Sequence, residues 1–335
     1  GKVVVAPAWQ EGVLLIDLDE PNNSQWIGLT DDDALSIGSD AMKFFDGDDD
    51  GHEDIDSIIE DITDAVITGL ADYCRKSGIK QIVLGLSGGI DSAVAACVAC
   101  AAVGAENVLG IAMPSRYSSD HSLKDAEYTA EKLGMEFKVQ PIHEMHTSFE
   151  GNIRLNLSEG NPVASENIQS RLRGMIVMAH ANAENRMAIA TGNKSELAQG
   201  YCTLYGDMAG GYTPLGDLYK MQVYALAEIF NQRAIELGNE PPVNESTMTK
   251  PPSAELAPDQ KDEDSLPPYA VLDEILRLHI EHKMDADDIV NSGFNREIVV
   301  DVLSRLEKNE HKRWQMSPAP RVTSKAFGQG WRRPL

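Results

Sequence analysis

The residues best suited to chemistry are Ser87-Gly88-Gly89-Ile90-Asp91-Ser92. An apolar run, 81–86, leads into them, and a helix of small residues is predicted over 93–103. A strand feeding a Gly-rich turn that opens a helix aims backbone N–H groups and the positive helix end at one point, which suits a phosphate. Ser87 and Ser92 add hydroxyl donors. Asp91 would repel a phosphate by itself. It belongs beside one when Mg²⁺ lies between the carboxylate and the phosphate oxygens. A plain turn with an N-cap Asp is the competing reading, but Ser-Gly-Gly-x-Asp-Ser is more restrictive than such a turn needs.

The elements that must position this loop follow from the hydrophobic pattern. Strands are predicted over 81–86, 107–113, 135–140 and 186–191, and helices over 119–133 and 165–182. Such alternation implies an α/β fold: a doubly wound, mostly parallel sheet with helices on both faces. Ligands of these sheets sit beyond the carboxyl ends of the strands. The informative positions are therefore 87–92, 114–116 and 191–196. A helix is also predicted from Ile55 to Tyr73, with Asp54 or Asp56 as its cap and Gly78 ending it. Residues 241–268 form a long Pro-rich irregular segment, the kind used as a lid or binding loop. A helical C-terminal region follows, with helices near 268–282, 284–291 and 294–309.

Residues 1–45 read as short strands, with Lys2-Val3-Val4-Val5 and 12–17 the clearest. Two or three such strands do not make a stable domain alone. Within 46–64, ten of nineteen residues are acidic. Asp46, Asp48, Asp50 and Gly51 match the opening of a calcium loop, but the twelfth position is Ser57 where a Glu is needed. An acidic linker over 46–54 is the better reading.

The formal net charge of −24 argues against nucleic-acid and anionic-membrane partners. No apolar run reaches transmembrane length, and Gln10, Glu11 and Asp17 break the apolar stretch that a signal peptide would need. The four cysteines, Cys74, Cys97, Cys100 and Cys202, have no metal-like clustering and fit packing roles in a reducing cytoplasm. Basic residues gather at the C-terminal end, at Lys312, Arg313, Arg321, Lys325, Arg332 and Arg333. Charge alone divides these evenly between an anion site and a tail that pairs with the acidic body.

The 85–92 loop resembles the pyrophosphatase loop of the adenine-nucleotide α-hydrolase superfamily, which splits ATP between its α- and β-phosphates. Further stretches resemble NAD synthetases: Thr191-Gly192-Asn193-Lys194-Ser195-Glu196, Tyr201-Cys202-Thr203-Leu204-Tyr205-Gly206-Asp207, Pro214-Leu215-Gly216-Asp217-Leu218-Tyr219-Lys220, and Lys250-Pro251-Pro252-Ser253-Ala254-Glu255-Leu256. Glu310-His311-Lys312-Arg313 and residues 322–328 resemble the family's C-terminal end. The likeness covers roughly 55–335 and is nearest the synthetase domain of the glutamine-dependent form. Residues 1–45 resemble the last strands of that form's glutaminase domain. No cysteine precedes Cys74, so the glutaminase machinery is expected upstream of Gly1. The start at Gly1 rather than Met fits a processed or fragmentary chain.

The resemblance implies a Rossmann-like fold and a reaction of ATP, deamido-NAD and ammonia that gives NAD, AMP and pyrophosphate through an adenylate. Ammonia is the expected nitrogen source for the chain as given. Ser87, Asp91 and Lys220 are the expected catalytic residues. Gly85, Leu86, Ser87, Gly88, Gly89, Ile90, Asp91, Ser92, Thr191, Lys220 and Ser253 are the expected ATP contacts. Asp91 and Glu196 are the expected Mg²⁺ ligands. Asn167, Arg171, Glu196, Tyr201, His311 and Lys312 are assigned to deamido-NAD, with Asn167 and Arg171 one helical turn apart on one face. Arg173 falls elsewhere on that helix and reads as structural. The single-domain form has a Lys where this chain has Leu204, so that charged contact does not carry over. The family also implies a homodimer or higher homo-oligomer, with the 175–183 stretch as a candidate interface, although its small residues equally suit ordinary helix packing. The alternatives are another ATP-pyrophosphatase amidotransferase, a tRNA-thiolating relative, or a catalytically silent nucleotide-binding module. The 191–207 and 250–256 stretches speak against the first two, and the intact Asp91 and Glu196 against the third.

Overall fold

The structure, a computed structural model, describes residues 3–5, 12–15, 25–28, 36–37, 43–45, 55–153, 163–258, 260–328 and 330–332. The chain divides into two compact units, Gly1–Ala65 and Val66–Leu335. The calcium-loop and linker readings over 46–54 lie outside the described residues.

The first unit holds five short strands and the start of helix α1 (Ile55–Ser77). Strand β1 (Val3–Val5) pairs antiparallel with β5 (Lys43–Phe45). Strands β2 (Gly12–Leu15), β3 (Gln25–Gly28) and β4 (Ser36–Ile37) form a second antiparallel sheet.

The second unit is built on four parallel strands: β6 (Ile82–Gly85), β7 (Val108–Ala112), β8 (Glu136–Val139) and β9 (Met187–Ala188), in the order β8-β7-β6-β9. Every residue of β7 and the first three of β6 are buried, as a sheet covered on both faces requires. On one face Val83, Leu109 and Ile111 pack on Ile176, Val177 and Ala181 of α5 (Val163–Glu184), the helix that follows α4 (His143–Asn152). The alternate residues face the other way, toward α2 (Ile90–Val103) and α3 (Asp120–Leu133), which contact β6 to β8. The predicted doubly wound α/β fold is thus borne out.

From β6 the chain winds outward to β7 and β8, then returns and adds β9 on the opposite side of β6. The strand order reverses at β6, so a crevice opens beyond the carboxyl ends of β6 and β9. Strand β9 is shorter than the predicted 186–191 because Ile189 bridges instead to Tyr212. Helix α2 begins three residues earlier than predicted, which puts Asp91 in its first turn.

Past the sheet come α6 (Lys194–Gln199), α7 (Lys220–Glu236) and α8 (Glu245–Thr249), then α9 (Tyr269–Ile280), α10 (Ala286–Asn291) and α11 (Arg296–Lys308). Leu272, Ile275, Leu276 and Ile280 line one stripe of α9 and pack with Ile289, Val299, Val302 and Leu306. Leu197 and Ala198 of α6 join this core, so the helical region holds the segment that carries Glu196.

Candidate active site

The loop after β6 is stapled by its own hydroxyls. Ser87 N–H donates to Ser92 Oγ (3.1 Å), Gly89 N–H to Ser87 Oγ (3.2 Å), and Ser92 Oγ to the Gly89 carbonyl (3.0 Å). Gly88 has φ +80°, and a Cβ there would lie 2.1 Å from the Ser122 carbonyl oxygen. Only glycine lets the loop approach the start of α3 this closely.

Asn193 joins the two strand ends. It caps α6 by accepting from Glu196 N–H (3.0 Å), and its side-chain amide donates to Asp91 Oδ1 at 2.7 Å. The capping box turns the Glu196 carboxyl back toward Asp91. Lys220, at the first turn of α7, reaches both acids: Nζ donates to Asp91 Oδ2 in a short contact and to Glu196 Oε1 at 3.2 Å. Asp273 fixes that turn by accepting from Ser195 Oγ (2.5 Å) and Met221 N–H (2.8 Å), while Lys220 N–H donates to Ser195 Oγ (3.0 Å). Burial pushes the Asp273 carboxyl up to about 6 against these donors.

Lys220 is 2% exposed. Burial works to lower its pKa, but the charges of Asp91 and Glu196 outweigh it, and the ammonium is stabilised. Burial first, and then the charge of Asp91, push Glu196 up to about 8. The pair is short of positive charge even with Lys220 between them.

These groups line a cavity of about 320 Å³, large enough for a small-molecule site. Its walls include Gly85, Leu86, Ser87, Gly89, Ile90, Asp91, Ser92, Thr191, Glu196, Tyr201, Lys220 and Ser253, so expected site residues from four distant stretches meet. Ser253 lies on the Pro-rich segment, which does border the cavity; its hydroxyl donates to the Gln260 carbonyl (2.5 Å). Glu255 ties the same segment to α3, accepting from Ser119 (3.0 Å) and Ser122 (2.6 Å).

Gly88, Asn167, Arg171, His311 and Lys312 are not among the cavity walls. Three of them end on the turn after α6. Thr203 Oγ1 donates to Asn167 Oδ1 (2.7 Å), Arg171 Nε to the Leu204 carbonyl (3.2 Å), and Lys312 Nζ to the carbonyls of Gly200 (2.7 Å) and Cys202 (2.8 Å). Asn167 and Arg171 do share a face, as their spacing requires, but it is the face that grips this turn. His311 is exposed, with Nδ1 3.1 Å from the Lys308 carbonyl.

Sequence reasoning passed over three cavity groups, and over Asn193, which braces two of the cavity acids without lining it. Arg173, read as structural, lines the cavity with Nε donating to the Met113 carbonyl (3.0 Å); burial lowers it to about 10. Asp207 also lines it, pushed up to about 6 by burial, and accepts from Thr203 N–H (2.8 Å). Asp262 is 3% exposed, takes the Tyr269 hydroxyl on Oδ2 (2.8 Å), and is raised by burial. Asn193 was detectable, because Asn193-x-x-Glu196 has the spacing of a capping box. The other three depend on tertiary packing.

Among the described residues, no group of three or more His, Cys, Asp or Glu is arranged to hold a metal, so a cation here would rest on two carboxylates. Cys74 and Cys97 are buried, and burial pushes the Cys100 thiol up to about 12, whereas Cys202 lines the cavity. No helix among the described residues is long and apolar enough to cross a membrane.

Residues 62–316 match the family described as NAD synthase. The glutamine-dependent NAD(+) synthetase of Synechocystis sp. is 47% identical over 278 residues, covering 82% of this chain and 49% of that protein. The solved glutamine-dependent NAD+ synthetase of Acinetobacter baumannii, in complex with ADP, aligns with a TM-score of 0.57 and 33% identity over 93% of this chain and 58% of that one. The NH3-dependent NAD synthetase of Campylobacter jejuni aligns with a TM-score of 0.61 and 28% identity over 76% of this chain and 95% of that one. The chain spans about half the length of the curated relatives it matches. With the Gly-rich loop after β6, the facing acids and the matched span in agreement, the chain belongs to the NAD synthase family.

Proposed function

We propose that the chain amidates deamido-NAD to NAD, with ATP as co-substrate and ammonia as nitrogen donor, releasing AMP and pyrophosphate. The observation that carries this reading is the convergence of Asp91, Glu196 and Lys220 below the 85–92 loop, at the strand-order reversal. The ADP held by the A. baumannii relative and the NH3 dependence in the name of the C. jejuni relative support it.

Asp91 and Glu196 fit Mg²⁺. Both offer hard carboxylate oxygens, both reach one cation, and Mg²⁺ commonly takes one or two carboxylates beside phosphate oxygens and water. When bound, it supplies charge neutralisation to the phosphates. Ser87 and the glycine backbone cradle the leaving pyrophosphate, with Thr191 and Ser253 on the facing walls. Lys220 offsets the charge that builds as the bond to pyrophosphate breaks. The nicotinate carboxylate oxygen attacks the α-phosphorus, and the bridging P–O bond to the β-phosphate breaks. Ammonia then attacks the acyl carbon, loses a proton, and AMP departs with the attacking oxygen. Positioning is the chain's main contribution, because both partners in the first step are anions.

On the dinucleotide side, Asn167, Arg171 and Lys312 act through the turn they hold, which presents Tyr201 to the cavity. His311 lies at the rim of the same C-terminal helix as Lys312, α12 (Glu310–Arg313). The chain works as a homodimer in this reading: Met175 is 66% and Met178 38% exposed, one turn apart on α5, an apolar strip of the kind a second copy covers.

The test is isotopic. Deamido-NAD carrying ¹⁸O in its carboxylate should yield AMP with one ¹⁸O. Label confined to pyrophosphate, or ADP in place of AMP, would exclude the adenylate route.

A further inference from the structure

Lys220 and the acids around it raise a problem of electrostatics. In the structure its ammonium is fully committed to Asp91 and Glu196. The proposed function needs those two carboxylates for a divalent cation. Once they turn to the metal, Lys220 is a buried charge that has lost its partners, which is costly in a low-dielectric site.

Asp262 stands ready to receive it. It lines the same cavity, is 3% exposed, and lies within electrostatic reach of both Lys220 and Asp91. One carboxylate oxygen, Oδ2, is anchored by the Tyr269 hydroxyl at 2.8 Å. The other, Oδ1, is buried; the Tyr201 hydroxyl interacts with this carboxylate but makes no hydrogen bond of normal geometry to it. The Tyr269 ring centroid sits 5.1 Å from Lys220 Nζ, so the residue that anchors Asp262 also flanks the lysine. A buried carboxylate with one oxygen short of a well-made hydrogen bond can accept an ammonium that must move.

We propose that Lys220 is an internal stand-in cation for Asp91 and Glu196, and that Asp262 is the positioning residue that takes over its charge when a divalent cation claims those two acids. The exchange makes and breaks only ion pairs. With all three carboxylates ionised and Lys220 protonated, the cluster carries a formal charge of −2, which one divalent cation balances. The inference rests on the metal role given above to Asp91 and Glu196.

The test is a thermodynamic cycle read by Mn²⁺ titration calorimetry on nucleotide-free protein, with thermal melting to confirm folding. Wild type should bind Mn²⁺ saturably, and Asp91→Asn should abolish this. Lys220→Met should tighten Mn²⁺ binding, since the competing cation is gone; Lys220→Gln serves if that variant does not fold. Asp262→Asn should weaken binding about tenfold in wild type and leave it unchanged in the Lys220→Met background. If Asp262→Asn does not fold, Tyr269→Phe, which frees the anchored oxygen, should give a smaller loss in the same direction.

Three outcomes overturn the proposal. An unchanged affinity in Asp262→Asn, or in Tyr269→Phe where that variant stands in, removes the positioning role. An equal loss in both backgrounds makes Asp262 a metal ligand instead. Looser rather than tighter binding in Lys220→Met means the lysine does not compete. Absence of Mn²⁺ binding in folded wild type is a different failure, because it removes the metal reading of the site and this inference with it.

Discussion

Two buried lysines, Lys194 and Lys220, show how one kind of ion pair serves two ends. Lys194 is fully buried and enclosed by partners: Asp217 at 2.9 Å, Thr323 Oγ1 at 2.6 Å, the Lys325 carbonyl at 3.0 Å, and the Tyr219 ring at 4.6 Å. Asp217 is also satisfied, by the N–H groups of Val322 (2.9 Å) and Thr323 (2.8 Å). That network ties the C-terminal segment to the turns before α6 and α7. Lys220 is as deeply buried, but its acids face a cavity and outnumber it. A closed network, in which the second acid near Lys194, Glu281, is itself held by the Tyr219 and Ser324 hydroxyls, holds structure together. An open one with excess negative charge is prepared for a cation and an anion that arrive together.

The comparison can be broken by substitution. Lys220→Met should lower kcat about 10³-fold, the order seen when a transition-state charge partner is lost, while melting shows a folded protein. Steady-state NAD formation measures it, and wild-type turnover would remove Lys220 from the chemistry. Lys194→Met should do the reverse. Stranding Asp217 should cost about 3–5 kcal/mol in denaturant unfolding, with turnover per folded molecule kept near wild type. Equal losses of turnover in the two variants would erase the distinction.

Asp273 sharpens the comparison through pH. Its folded pKa is about 6, above the ordinary value of 3.8, so the folded state holds a proton that the unfolded chain has released. That contribution is complete below pH 3.8 and is lost as pH rises through 6. Relative to Asp273→Asn, wild type should lose up to about 3 kcal/mol between pH 4 and pH 7. A constant difference in stability across that range would contradict the assignment. Gly88→Ala is a smaller change. Its Cβ would meet the Ser122 carbonyl, and the loop must shift at a cost of about 1–3 kcal/mol, together with weaker ATP binding by calorimetry. Unchanged ATP affinity would mean that the loop does not touch the nucleotide.

Much of this was legible in the sequence. Parallel strands place their carboxyl ends on one edge, so Ser87 to Ser92 and Thr191 to Glu196 had to come together once the alternation was read. Lys220 and Ser253 joined them through the resemblance, not through any pattern. Residues whose role depends on packing were not legible. Asp262 sits in a Pro-rich segment whose local pattern says only that it is irregular; its burial comes from α9. Arg173 differs from Arg171 by two positions on one helix, and only the packing of α5 against the sheet decides which of the two reaches the cavity. Lys312 had the right neighbourhood, but its ammonium is taken by two carbonyls of a turn that no sequence rule brings near it.

The most direct measurement is NAD formation by the purified chain supplied with ATP, Mg²⁺, deamido-NAD and ammonium, alongside Asp91→Asn. Wild type should give NAD, AMP and pyrophosphate in equal amounts, and an Asp91→Asn protein that melts like wild type should give none above background. Wild-type rates from Asp91→Asn, or no NAD from the folded wild-type chain, would contradict the proposed function.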